Sequence, residues 1–315
     1  MADSIAQSVG VDISKDTLDV HLHPAGRARR FANTEKGCRA LIGWLGGVVV
    51  VRVAFEPTGA YHHRFERLLA QAGFALCKLN PRQARRFAEA IGRQAKTDAV
   101  DAAMLARLAA LLEPPARPVI SARLDEMKEL HSARRALVKD RTAALNREHT
   151  RRSALLRRQA AQRLAQIERQ IAAIDAALRH LLMADAELKA RFEILIGIPG
   201  VGETTALTLL IEMPELGALE HKCAASLAGL APIARDSGQH RGKRSIRGGR
   251  ASLRRAIYMP ALVAVRFNPD LRAKYNALRA AGKPPKLALT AVMRKLMILA
   301  NALLRDQRNW TPKLA

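Results

Sequence analysis

Four carboxylates have the types and positions to do chemistry together. Asp12 interrupts an alternating apolar run, facing opposite to Val9, Val11 and Ile13. A carboxylate in such a run is costly unless something neutralises it. Glu56 closes a second apolar run and precedes the turn Pro57-Thr58-Gly59. Asp98 and Asp101 stand three apart at the start of a helical stretch, so both project from one face. An all-oxygen cluster of these four suits Mg²⁺ or Mn²⁺. Two such ions could clamp the attacking and leaving oxygens of a phosphodiester. Each acid also has an ordinary reading: Asp98 and Asp101 complement a helix dipole after a Thr97 cap, and Glu56 sits in an exposed turn. Spacing alone leaves both readings open.

A second group surrounds Ser237. It lies in Asp236-Ser-Gly238, just before Arg241, Lys243, Arg244, Arg247 and Arg250. Cations there can bind phosphate and stabilise an attacking alkoxide. Asp-Ser-Gly is also ordinary turn chemistry, and on residue chemistry alone the turn reading is favoured. The basic stretch reads as a phosphate-contact patch in either case. Gly197-Ile-Pro-Gly-Val-Gly202 has the glycine spacing of a P-loop, but Glu203 and Thr204 follow where that motif needs lysine, and no β-rich run precedes it. Nucleotide binding is therefore rejected. The segment reads as a helix-hairpin-helix-like turn between helices at 190–196 and 204–213. Its N–H groups either hold a DNA phosphate or simply close a turn.

The elements that must position these groups follow from hydrophobic periodicity. Strands are expected at 8–13, 17–23 and 29–32, and a helix at 35–45. The β-branched run 48–56 predicts a strand buried on both faces. A helix at 61–72, a strand at 74–79 and helices at 81–91 and 98–112 complete an α/β layered pattern. With the acids in that order, the pattern favours a ribonuclease-H-like fold. From 119 to 196 there is no Gly and no Pro. Ile167, Ile171, Ile174, Leu178 and Leu181 repeat at coiled-coil spacing, predicting one or two long helices that form a hairpin or a dimer seam. Residues 197–315 read as helical. The expected domains are 1–113 with the acids, 114–193 as a helical coiled-coil region, and 194–315 with the serine.

Composition limits the partner. Lys and Arg number 53 against 28 Asp and Glu, a formal net charge of +25, in a chain that is 49% hydrophobic. This is a globular chain whose self-repulsion suits a polyanion. A membrane is disfavoured: residues 1–8 lack a signal-peptide pattern, and the apolar run 41–55 is too short and contains Arg52. Cys38, Cys77 and Cys223 are too scattered for a zinc site or disulfide framework, so they read as thiols of a cytoplasmic protein.

The motifs taken together resemble the insertion sequence 110 transposases and their Piv/MooV-type invertase relatives. The N-terminal pieces are Val9-Gly-Val-Asp-Ile-Ser-Lys15, Phe55-Glu-Pro-Thr-Gly-Ala-Tyr61, Asn80-Pro-Arg-Gln83 and Lys96-Thr-Asp-Ala-Val-Asp-Ala102. The C-terminal pieces are Pro199-Gly-Val-Gly202, Leu227-Ala-Gly-Leu-Ala-Pro232, Asp236-Ser-Gly238, Arg247-Gly-Gly-Arg250 and the region from Asn268-Pro269 to Lys286. The resemblance implies an α/β RuvC-like domain whose four metal-holding acids fall on Asp12, Glu56, Asp98 and Asp101, with Mg²⁺ or Mn²⁺ as cofactor. It implies a catalytic serine at Ser237, which reverses the reading of that loop. It further implies a bridge RNA that pairs with donor and target DNA, a dimeric or tetrameric assembly with the acids and serine supplied by different protomers, and a cytoplasmic, nucleoid-associated transposase/recombinase. Two alternatives stand beside it: a metal-dependent Holliday-junction nuclease in which water attacks, and a non-enzymatic nucleic-acid-binding scaffold.

Overall fold

A computed structural model describes residues 5–57, 59, 61–92, 98–116, 121–148, 150, 152–234, 236–238, 240–242 and 244–312. The chain forms two compact units, residues 1–120 and 121–315. The helical region expected at 114–193, from 121 onward, and the serine-bearing segment expected at 194–315 thus fall together in the second unit.

The first unit is a five-stranded mixed sheet with helices on both faces. Its elements are β1 (Gln7–Ile13), β2 (Thr17–His23), β3 (Ala28–Ala32), α1 (Glu35–Leu45), β4 (Val50–Phe55), α2 (His62–Gln71), β5 (Leu76–Lys78), α3 (Pro81–Ala90) and α4 (Asp98–Leu112). The strand order is β3-β2-β1-β4-β5. Strands β1, β2 and β3 pair antiparallel, while β4 lies parallel to both β1 and β5. Alternation assigns the faces. Val9, Val11, Val53 and Phe55 pack with Cys38, Leu41 and Leu45 of α1 and Phe65 and Leu69 of α2. Ala54 and Cys77 pack on the other side, with Met104, Leu105 and Leu108 of α4.

Strand β4 differs from expectation at its start. Val49 and Val51 are 51% and 44% exposed. The reason is the length of β5: its three residues pair only with Val53, Ala54 and Phe55, leaving the first half of β4 without a neighbour on that side.

Helix α4 crosses the sheet with its backbone directly on Gly10. A Cβ at Gly10 would lie 2.1 Å from the Ala102 carbonyl oxygen and 2.3 Å from the Ala106 nitrogen. Further along, the Arg52 guanidinium donates to the Ala109 carbonyl at 3.2 Å, and Arg52 sits in register with Ser8. Helix α4 therefore runs antiparallel to β1, with its N-terminus at the carboxyl ends of β1 and β4. Gly10→Ala is expected to push these layers apart and destabilise the unit by about 3 kcal/mol, the upper part of the usual overpacking range. A fall in the urea midpoint checks this, and an unchanged midpoint would mean that α4 does not dock this closely.

The second unit is helical. It contains α5 (Ala122–Glu148), α6 (Ala154–Met183), α7 (Ala186–Ile196), α8 (Glu203–Glu212), α9 (His221–Leu227), α10 (Ala251–Phe267), α11 (Pro269–Ala280) and α12 (Pro285–Arg305). Between α9 and α10 lie four two-residue strands, β6 (Pro232–Ile233), β7 (Asp236–Ser237), β8 (His240–Arg241) and β9 (Ser245–Ile246). Helices α5 and α6 pair within the chain. Arg134 meets Asp175 at 2.5 Å and Arg123 meets Asp185 at 2.8 Å, contacts that fix an antiparallel hairpin. Ile167, Ile171, Leu178 and Leu182 are buried along α6, whereas Ile174 and Leu181 are half-buried. The buried face moves from Leu181 to Leu182 because a 3.6-residue helix drifts away from a strict heptad.

Glu212 joins three helices of this unit. Its carboxylate lies 2.9 Å from Arg135 and 3.5 Å from His131, both on α5, and accepts a hydrogen bond from Ser252 of α10. Burial pushes its pKa up, but the hydrogen-bonding of His131 and Ser252 and the Arg135 charge outweigh that and hold it below the usual range. Helix α12 is long and apolar enough to cross a membrane. It lies against α7, α9, α10 and α11 with ten buried residues, as the core helix of this unit.

Candidate functional site

The carboxyl edge of the sheet gathers the N-terminal acids. Asp12 is half-buried near the end of β1. Gly10, two residues earlier and hence on the same face, lies against α4. Glu56 follows β4 and is half-buried; the last register pair, Val11 with Phe55, puts it beside Asp12 one step further on. Arg52 and Ala54 meet α4, so alternation carries Glu56 to that face too. Asp101 is half-buried in the first turn of α4. Leu105 and Leu108, at helical spacing from it, pack into the sheet, so Asp101 is on the sheet-facing stripe. The structure thus brings Asp12, Glu56 and Asp101 to one face and one edge. Asp98 is the first residue of α4; its side chain, and Thr97, lie outside the described residues. Three half-buried carboxylates thus lie toward one edge, and carboxylate oxygen is the ligand type that a hard divalent cation prefers.

Buried Asn33 ties together the segments that carry Asp12 and Glu56. Its Nδ2 donates to the Ser14 carbonyl at 2.8 Å and to the Tyr61 carbonyl at 3.1 Å. Ser14 is two residues past Asp12, and Tyr61 is five residues past Glu56. The Asn33 carbonyl in turn accepts from the Arg64 guanidinium at 3.1 Å.

A second polar group beside this edge has no counterpart among the sequence expectations. Donor atoms of His62, His63 and Glu66 lie within 4.8 Å of one another. The His62 and His63 rings stack at 4.3 Å, and the Lys78 ammonium contacts Glu66 at 2.9 Å. Burial lowers the His62 pKa, and the Lys78 charge lowers it further, so the imidazole is neutral near pH 7. The ammonium already neutralises Glu66 and repels a second cation, so this group reads as a buried ion pair joining α2 to β5. The i,i+4 spacing of His62 and Glu66 on a helix was the available signal; Lys78, from another strand, had none.

Ser237 is on a hairpin. Asp236 pairs with Arg241 and Ser237 with His240, outside which Pro232 pairs with Ile246 and Ile233 with Ser245. Gly238, at φ +54°, begins the two-residue turn, a backbone region that favours glycine in tight hairpins. The segment read as turn chemistry is therefore a β-hairpin, with exposed Ser237 last before the tip. Arg244 and Arg247 are exposed, and among the described residues neither has a carboxylate partner. Lys243 and the side chain of Arg241 lie outside the described residues.

Arg250 departs from its expected role as a phosphate contact. Its guanidinium donates to the Glu212 carbonyl at 2.7 Å and to the Glu215 carboxylate at 2.5 Å, while its backbone N–H donates to the Leu227 carbonyl at 2.7 Å. Both ends of the fork are engaged within the unit. Gly249 packs on Gly229, where an added Cβ would lie 2.2 Å from the Gly229 nitrogen. The Leu227-to-Pro232 and Arg247-to-Arg250 motifs are thus the two halves of one clasp at the base of the serine hairpin. Gly200, in the turn between α7 and α8, fits as closely on α10: a Cβ at Gly200 would lie 2.7 Å from the Ala264 nitrogen. That turn is packed between helices.

Residues 9–158 match a family model described as a transposase, of the DEDD type of IS110, and residues 192–276 match one described as the transposase IS116/IS110/IS902 family. The chain is 28% identical to the pilin gene-inverting protein of Moraxella lacunata, over 97% of this chain and 98% of that one. It is 27% identical to the pilin gene-inverting protein of Moraxella bovis over the same shares. Over 42% of this chain and 33% of the relative, it is 33% identical to the insertion element IS110 uncharacterized 43.6 kDa protein of Streptomyces coelicolor.

Proposed function

Because the chain belongs to the IS110 family of transposases and is a DNA transposase/recombinase, we propose that it cuts and rejoins DNA through Ser237, assisted by a divalent metal held by Asp12, Glu56, Asp98 and Asp101. The observation that carries this reading is the convergence of Asp12, Glu56 and Asp101 on the α4 face at one edge of the sheet. The strand order, antiparallel through β3-β2-β1 and parallel through β1-β4-β5, is consistent with a RuvC-like domain. In the second unit, exposed Ser237 sits on a tight hairpin near exposed Arg244 and Arg247.

In the proposed reaction the Ser237 Oγ attacks the scissile phosphorus and gives up its proton. A P–Oγ bond forms and a P–O bond to the deoxyribose breaks, leaving a strand-end hydroxyl that takes a proton. The phosphodiester energy is kept in the phosphoserine, so a hydroxyl from another strand can attack and release the serine. Arg244 and Arg247 hold the phosphate charge. Bound at the acids, Mg²⁺ or Mn²⁺ would polarise the phosphate oxygens.

The DNA is donor and target, and a bridge RNA selects sequence by pairing while the protein holds backbones. The net charge of +25 supports that division. The protein works in the cytoplasm, on the nucleoid, as a dimer or tetramer in which acids and serine come from different protomers. The test incubates the full-length protein, with its copurifying RNA, and plasmid carrying the element's ends. Rejoined recombinant DNA is expected, together with an RNA whose segments match donor and target. Cleaved but never rejoined DNA would instead identify a water-using junction nuclease, and bound but unchanged DNA a scaffold.

A further inference from the structure

Beside the acid edge lies a small cavity that none of the chemistry above uses. It has a volume of about 210 Å³ and is lined by Lys15, Asn33, Tyr61, His63, Arg64 and Arg67. That is below the roughly 300 Å³ at which pockets for drug-sized ligands begin, so it suits a small group. We propose that this cavity holds a backbone phosphate of the same DNA strand that the acids engage, near the linkage to be cut.

Three separate segments build it. Lys15 is exposed in the β1–β2 turn, which is closed by Thr17 N–H donating to Ser14 Oγ at 2.9 Å. Asn33 follows β3, and Tyr61 to Arg67 form the start of α2. Among the described residues, none of Lys15, Arg64 and Arg67 has a carboxylate ion-pair partner, whereas Arg30 and Arg39 nearby are paired with Asp19 and Glu35. The three cations therefore face the cavity with their charge uncompensated.

Helix α2 points to an anion independently. Its first turn holds His63 and Arg64 and no acidic residue, and its N-cap Tyr61 makes no side-chain cap bond. An arginine beside the positive end of a helix whose N-cap side chain makes no cap bond is unfavourable alone and favourable around an anion. Asn33 adds a third sign. It is 6% exposed, both amide hydrogens go to Ser14 and Tyr61, and its buried Oδ1 has no partner. That oxygen is an acceptor for a water bridging it to the phosphate.

The position fits a strand crossing the sheet edge. The acids take the α4 side, and this cavity takes the α2 side of the same carboxyl edge. Lys15 is three residues beyond Asp12, at most about 11 Å away along the chain. At roughly 3.4 Å of rise per nucleotide, that span of chain corresponds to about three nucleotides of a strand. The inference rests on the DNA-cutting reading only for which strand is held.

The test uses the full-length protein in EDTA with a labelled DNA duplex, so its outcome does not depend on any metal at the acids. Lys15→Gln/Arg67→Gln, both at exposed positions, is expected to keep its fold by circular dichroism. It is expected to flatten the log–log salt dependence of binding by about 0.9, the loss of one phosphate contact. In the unmodified protein, DNA is expected to protect Lys15 from an amine-acylating reagent, read by mass spectrometry. An unchanged slope, or equal acylation of Lys15 with and without DNA, overturns the proposal. Cleavage by Asp12→Asn in Mg²⁺, measured separately, decides the acid-site reading.

Discussion

Ser237→Ala is expected to abolish the covalent protein–DNA adduct and the recombinant product while leaving nucleic-acid binding unchanged. The expectation follows from where the hydroxyl sits. Ser237 is exposed beside a hairpin tip, and its backbone pairs with His240 whatever its side chain. Losing one oxygen there should cost the fold no more than about 0.5 kcal/mol. The exposed Arg244 and Arg247 remain to hold phosphate. A nucleophile has no substitute within its own side chain, so joined product should fall by at least about 10³-fold. The measurement traps the reaction on labelled DNA, denatures it and looks for protein-linked label. An adduct that persists in the alanine variant moves the nucleophile to another residue. Cleavage without adduct in the unmodified protein gives the chemistry to water.

Asp12→Asn should be as damaging by a different route. Asp12 and Glu56 lie on the sheet face that α4 covers and Asp101 on the stripe of α4 that faces it, so under the proposed reading neutralising one of them would weaken the hold on a divalent cation and on the phosphate beside it. Cleavage is expected to fall by at least about 10²-fold at ordinary Mg²⁺, with partial return at raised Mg²⁺ or Mn²⁺. The metal-free protein should be no less stable, because neighbouring carboxylates then repel less. Thermal unfolding with and without Mg²⁺ reads both effects: the unmodified protein gains stability on adding metal and Asp12→Asn gains less. Full recombination by Asp12→Asn would remove the acids from the reaction. The two variants also test each other. If acids and serine come from different protomers, a mixture of Ser237→Ala and Asp12→Asn proteins regains product that neither makes alone; no regain places both groups in one protomer.

Much of the first unit was legible in the chain because its signals are local. Alternation at Val9, Val11 and Ile13 set a strand and its facing, and with it the side on which Asp12 falls. Periodicity likewise announced α1, α2, α3 and α4. The run at 48–56 misled in part, because whether Val51 is covered depends on the length of a neighbouring strand and not on Val51 itself. Leu181 and Leu182 are a similar case: both are apolar, and the path of α5 along α6 chooses between them.

The residues in order supply the inventory: the acids at strand and helix ends, the serine before a glycine, the excess of positive charge, and the motifs that mark the family. Which charges are used within the fold and which remain outward is settled by packing. Arg250 and Arg247 flank the same two glycines, yet Arg250 is bound to Glu215 and the Glu212 carbonyl while Arg247 is exposed. Lys78 is held by Glu66, whereas Lys15 turns with Arg64 and Arg67 toward an open cavity. Asn33 gave no signal in the chain, and it clasps the segments bearing Asp12 and Glu56. The physical reason is range. Periodicity and turn chemistry act over a few residues, while an ion pair or a clasp depends on partners that folding brings from far along the chain.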